Sequence, residues 1–168
     1  MNRKLASWQA GSHSDLFCYT CGMDIQAELR TIVAAFNRAS IEYALCGGLA
    51  VAFHGYARFT KDIDILVARD SLANALEVSA KVGFLDSSGK ILFPDVELHR
   101  VLKIEESEYL ILDLMVLSQN EDQAWNQKTW FDWEGLPICV VSTDGLVAMK
   151  RRAGRPQDLL DIKMLGFE

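Results

Sequence analysis

Three acidic residues stand where they could hold a divalent cation. Asp62 and Asp64 flank Ile63 in the run Lys61 to Val67, KDIDILV. Successive side chains of a strand point to opposite faces, so the two carboxylates share one face while Ile63 and Ile65 enter the core. Like charges held this close repel unless a cation lies between them, and paired oxygen donors suit Mg²⁺, with Mn²⁺ as the alternative ion. Asp113 is the candidate third ligand. It sits between Leu112 and Leu114 in an apolar segment, where an acid without a partner is costly. The plainer reading of Asp113 is a salt bridge to Lys103 or Arg100 on the neighbouring strand.

Upstream, Gly47-Gly48 separates a short apolar strand from a helix of small residues. Glycine lets the backbone approach a ligand closely, and the start of a helix offers N–H groups to phosphate. Arg58, Thr60 and Lys61 fall just before the acidic strand and add side-chain donors. A metal seat beside an anion cradle is what nucleotidyl transfer needs: cations to neutralise a triphosphate and align the attacking oxygen, and donors for the departing pyrophosphate. Taken singly, each element has a bland reading. A Gly-Gly pair is usually a turn, and a lone Asp-x-Asp is usually a solvated strand end.

The surrounding pattern supplies elements to position these groups. Asp24 is a candidate N-cap, and Ile25, Leu29, Ile32, Val33 and Phe36 recur at helical spacing up to about residue 39. Strands are expected at Tyr43–Cys46 and Asp62–Val67, with the helix LAVAFHG between them, and a further helix from Ser71 to about Val82 stops at Gly83. VELHRVLKI and YLILDLMVL read as two strands about the acidic turn EESE. A short helix is expected over residues 120–128, two strands within WFDWEGLPICVV, and helices over Thr143–Ala153 and after Pro156. The class is α/β (α+β), a mixed β-sheet flanked by helices in a single domain, residues 23–168. Residues 1–22, polar and aperiodic, read as a flexible N-terminal tail.

Composition narrows the partners. The chain has 168 residues, 50% of them hydrophobic, enough for one cored domain. Its 17 basic and 23 acidic residues give a net charge of −6, which argues against general DNA binding through a basic surface. The longest charge-free apolar stretch, Tyr43 to Ala57, is shorter than the roughly 20 residues of a membrane span, and the N-terminus lacks the apolar core of a secretory signal, so a cytoplasmic location without membrane attachment is expected. Cys18 and Cys21 form a lone C-x-x-C; even with His13 the ligand set for zinc is incomplete, and reduced thiols are expected there. Trp125, Trp130, Phe131 and Trp133 read as core and hairpin packing, with a homodimer seam as the alternative.

The segment CGGLAVAFHGYARFTKDIDILV resembles the signature of the DNA polymerase β-like nucleotidyltransferase superfamily. There a Gly-Gly or Gly-Ser turn precedes a helix, an h-D-h-D-h strand follows, and a third acid lies on a later strand. The resemblance implies the nucleotidyltransferase fold, with Asp62, Asp64 and Asp113 as catalytic metal ligands and Gly47, Gly48, Arg58 and Thr60 about the nucleotide. The run KRRAGRPQDLLD is similar to the K-x-x-A-x-R-x-x-D-x-x-D pattern of AbiEii-type bacterial nucleotidyltransferases. That likeness implies that Lys150 reaches the nucleotide phosphates, while Asp158 and Asp161 orient the basic residues. Gly48 stands where many members carry a phosphate-holding serine, which leaves that bond to Thr60 or Arg58. The expected activity is Mg²⁺-dependent transfer of an NMP from an NTP to a hydroxyl of a protein, tRNA or small molecule. The expected settings are toxin–antitoxin, with a cognate toxin or antitoxin partner, phage defence and antibiotic resistance. The alternative is a non-catalytic module of the same fold that binds nucleotide or a partner.

Overall fold

The computed structural model describes residues 6–7, 23–117 and 123–168. Cys18, Cys21 and His13 lie outside them, as does most of the expected tail. Its one described part, Ala6–Ser7 (β1), pairs in parallel with Phe131 and Asp132.

Asp24 caps the first helix, accepting from the N–H groups of Gln26 and Ala27, and Ile25–Arg38 (α1) buries Leu29, Ile32, Val33 and Phe36. Tyr43–Leu45 (β2) is wholly buried and leads at once into Gly47–Phe53 (α2). The glycine pair is therefore the first turn of α2 rather than a turn ahead of it. Asp62–Val67 (β3) follows, then Leu72–Lys81 (α3) after a short 3₁₀ turn.

Leu85–Leu92 (β4) is a strand the pattern did not announce. Val96–Glu105 (β5) and Glu108–Leu117 (β6) form the expected hairpin, with Glu105 paired to Glu108. Gln123–Asn126 (α4), Lys128–Trp133 (β7), Leu136–Val141 (β8), Thr143–Ala153 (α5) and Pro156–Met164 (α6) complete the chain. Gly154 ends α5 in the left-handed conformation at φ +63°, so α6 turns back beside α5.

One mixed sheet runs in the order β1-β7-β8-β2-β3-β6-β5-β4. Strands β3 and β6 are parallel, while β2–β3, β4–β5, β5–β6 and β7–β8 are antiparallel. Ile63, Ile65, Leu112 and Leu114 are fully buried, so the two strands that carry the acids are also the middle of the core. No helix among the described residues is long and apolar enough to cross a membrane.

Phe36 is fully buried and meets Tyr43 edge-on at 5.7 Å. Phe36→Ala should destabilise the fold by about 3–5 kcal/mol in urea titrations, the usual range for emptying such a site.

Candidate active site

The β3–β6 register decides where the acids meet. Asp64 lies directly beside Asp113, and Asp62 beside Ile111. Strand alternation turns Asp62 and Asp64 to the same face, so three carboxylates converge, each offering an oxygen within 4.8 Å of the others. Asp113 is buried and the other two are partly buried. Burial, together with the charges of Asp62 and Asp113, pushes the Asp64 carboxyl up to about 7.

Gly47 makes room for this cluster. Its φ of +65° suits glycine, and a Cβ there would stand 1.9 Å from Asp64 Oδ2. A Cβ on Gly48 would lie 2.8 Å from Thr60 Oγ1 and 2.9 Å from Arg58 Nη2. Thr60 and Arg58 thus occupy the space that a serine side chain at position 48 would need. The Thr60 hydroxyl donates to Asp62 Oδ1 at 2.7 Å. With only seven residues, α2 has little dipole to offer an anion, so side chains carry the positive charge of the site.

Four cations surround the acids, all of them engaged. Arg100 grips Asp113 with both prongs, Nε to Oδ1 and Nη2 to Oδ2, each at 2.8 Å. Behind the cluster, the wholly buried Asp161 accepts from Lys150 Nζ at 2.5 Å, Arg58 Nη2 at 2.9 Å and Gln157 Nε2 at 3.0 Å. Arg155 Nε donates to Asp158 Oδ2 at 2.7 Å. Burial would raise Asp158 and Asp161. The bonds from Arg155 to the first, and from Lys150, Gln157 and Arg58 to the second, outweigh it and hold both carboxyls below their usual range.

Lys150 and Arg155 both act on Asp64 through their charge. The structure therefore brings Gly47, Gly48, Thr60, Asp62, Asp64 and Asp113 together, with Arg58 and Lys150 joined to one another through Asp161. Two further neighbours come from readings the sequence offered. Arg155 is the arginine of the AbiEii-like pattern, and it pairs with Asp158. Of the two bases offered as a salt-bridge partner for Asp113, Arg100 makes the bond and Lys103 pairs with Glu28 instead, because with Glu105 opposite Glu108 across the turn, counting back along β5 puts Arg100 opposite Asp113.

No protein-family model matches the sequence, and no curated protein matches it. Solved structures do. A Thermotoga maritima protein provisionally assigned as a nucleotidyltransferase superposes with a TM-score of 0.63 at 14% identity, over 82% of this chain and 89% of that one. This chain has the nucleotidyltransferase fold. ANT(2″)-Ia in complex with adenylyl-2″-tobramycin matches with a TM-score of 0.60 at 14% identity, over 83% of this chain and 86% of that one. The lincosamide antibiotic adenylyltransferase LnuA, with lincomycin bound, matches with a TM-score of 0.58 at 18% identity, over 86% and 98%. At these identities the likeness is one of fold.

The raised Asp64 carboxyl has a consequence for the metal-free protein. Its folded value, about 7, lies above the unfolded value near 4, so the folded state binds the proton more tightly and stability falls as pH rises from about 4 through 7. Asp64→Asn removes that penalty. Melting in a chelating buffer should show the variant more stable than wild type at pH 8, on the order of 4 kcal/mol, with the gap closing by pH 4.

Proposed function

We propose that the chain is a divalent-metal-dependent nucleotidyltransferase that moves an NMP from an NTP to a hydroxyl acceptor. The observation that carries this reading is the convergence of Asp62, Asp64 and Asp113 within 4.8 Å on one face of the nucleotidyltransferase fold. Three hard oxygen donors fit Mg²⁺ or Mn²⁺, and the missing Cβ of Gly47 keeps the approach to Asp64 open. When bound, the metal would neutralise the triphosphate and lower the barrier to attack at the α-phosphorus.

The chain's own side chains do the rest. Asp62 and Asp64 hold the seat, Thr60 fixes one oxygen of Asp62, and Asp113 completes the ligand set or takes the proton of the attacking hydroxyl. Gly47 and Gly48 let the triphosphate lie against the backbone. Arg58 and Lys150 face the departing pyrophosphate from the same carboxylate, Asp161, which fixes their separation before substrate arrives. Asp158 does the same for Arg155.

The acceptor is a hydroxyl of a protein, tRNA or small molecule. The antibiotic ligands of ANT(2″)-Ia and LnuA favour the small molecule, whereas the AbiEii-like C-terminal pattern favours a toxin–antitoxin or phage-defence setting. A second reading has one observation behind it: Arg58 and Lys150 are both already engaged by the buried Asp161, as suits a module that binds nucleotide without turnover.

The test is pyrophosphate release with each NTP and Mg²⁺, across aminoglycosides, lincosamides, bulk tRNA and protein acceptors. The wild type should turn over with one acceptor class, and the double change Asp62→Asn with Asp64→Asn should lower the rate at least about a hundredfold while the protein stays folded. Activity that survives the double change would sink the mechanism, and NTP binding without release on any acceptor would favour the module.

A further inference from the structure

Arg100 stands in an unusual relation to the proposed metal seat. It lies opposite Asp113 on β5, and its Nε and Nη2 take one carboxylate oxygen each at 2.8 Å. The Asp113 side chain is only 6% exposed, whereas that of Arg100 is 38% exposed. The carboxylate is fixed in the core strand, and the guanidinium lies at its open side with a route to solvent. Planar fork and carboxylate match, so this is the strongest form of ion pair a side chain can make.

A divalent ion held by Asp62 and Asp64 would contend with this arrangement if it also used Asp113. All three carboxylates offer oxygens within 4.8 Å, so an ion that also used Asp113 would sit within a few ångströms of the guanidinium. Two positive centres at that distance repel, and they compete for the same oxygens. Arg100 also feels the charges of Asp62 and Asp64. It serves the metal-free cluster as a counter-ion.

We propose that Arg100 is the resident counter-ion of Asp113, and that metal loading is an exchange in which the guanidinium leaves Asp113 for solvent as the ion arrives. The proposal rests on the metal reading given above. Asp62 and Asp64 would form the entry seat. Asp113 joins only after Arg100 has swung out, so the third ligand is gated by a side chain of the neighbouring strand. Arg100 is then a positioning residue: it holds Asp113 oriented while the seat is empty, at the expense of metal affinity.

The decisive experiment measures Mn²⁺ binding to the full chain by the loss of the free-ion electron paramagnetic resonance signal, for wild type, Arg100→Gln and Arg100→Lys. Exchange predicts that Arg100→Gln binds Mn²⁺ more tightly, on the order of tenfold, with Arg100→Lys in between because its single ammonium grips less firmly. A role confined to orienting Asp113 predicts the opposite, weaker binding on loss of the fork. A second readout needs no variant and covers the case that Arg100→Gln does not fold. In wild-type protein without metal, the Arg100 Nε–H should give a protected proton resonance in nitrogen-15 spectra, and saturating Mg²⁺ should abolish the protection. Equal or weaker Mn²⁺ affinity in Arg100→Gln, or protection that persists under saturating Mg²⁺, overturns the proposal. If no protein of the three binds Mn²⁺, the metal seat falls with it. If the exchange is observed but no pyrophosphate is released with any acceptor, the transferase reading fails and the role of Arg100 stands.

Discussion

The parallel pairing of β3 with β6 sets Asp64 beside Asp113, and most of the site answers the repulsion this creates. Three carboxylates within 4.8 Å would push apart if their strands could move, but Ile63, Ile65, Leu112 and Leu114 are fully buried between them. The apolar residues fix the backbone, so the charges must be met by other means. Gly47 carries no side chain, Thr60 donates to Asp62, Arg100 grips Asp113, and burial with the neighbouring acids raises the Asp64 carboxyl to about 7.

The remaining cations come from the far end of the chain. Helices α5 and α6 fold back on each other, and the buried pair Asp158 and Asp161 gathers Arg58, Lys150 and Arg155. Five acids, Asp62, Asp64, Asp113, Asp158 and Asp161, thus face four bases, Arg58, Arg100, Lys150 and Arg155. The imbalance leaves a place for one more positive charge. Burial and the neighbouring acids raise the Asp64 carboxyl to about 7, and a divalent ion held there would supply the missing positive charge. Preorganisation of this kind rests on rigid strands for the acids and on buried ion pairs for the bases.

Much of the acid side was legible in the sequence because it depends on local rules. Alternation along a strand placed Asp62 and Asp64 together, and an acid amid leucines marked Asp113. The extents of β3 and α5 agree with their patterns, since Asp62–Ile65 alternates before the buried Leu66 and Val67, and α5 is bounded by Ser142 and Gly154. What depends on register is less legible. Arg100 and Lys103 are both candidates for Asp113, and the β5–β6 register selects Arg100. Arg58 with Lys150 on Asp161 joins residues 103 and 11 positions away that only tertiary packing brings together. Strand β4 escaped notice because the Ser-Ser-Gly within it reads as a turn, and its register against β5 does shift between Asp86 and Lys90. The glycine pair was placed before its helix rather than inside it, because a positive φ at Gly47 looks like a turn in sequence.

The activity proposed for the chain turns on whether the three carboxylates bind one metal centre. Anomalous diffraction at the manganese edge, from crystals grown with Mn²⁺ and a non-hydrolysable NTP analogue, addresses this directly. The predicted result is a peak within coordination distance of Asp62 and Asp64, with Asp113 turned to the same centre, the analogue's phosphates beside it, and Arg100 withdrawn from Asp113. A map in which the analogue binds but no manganese lies among these carboxylates would contradict the account.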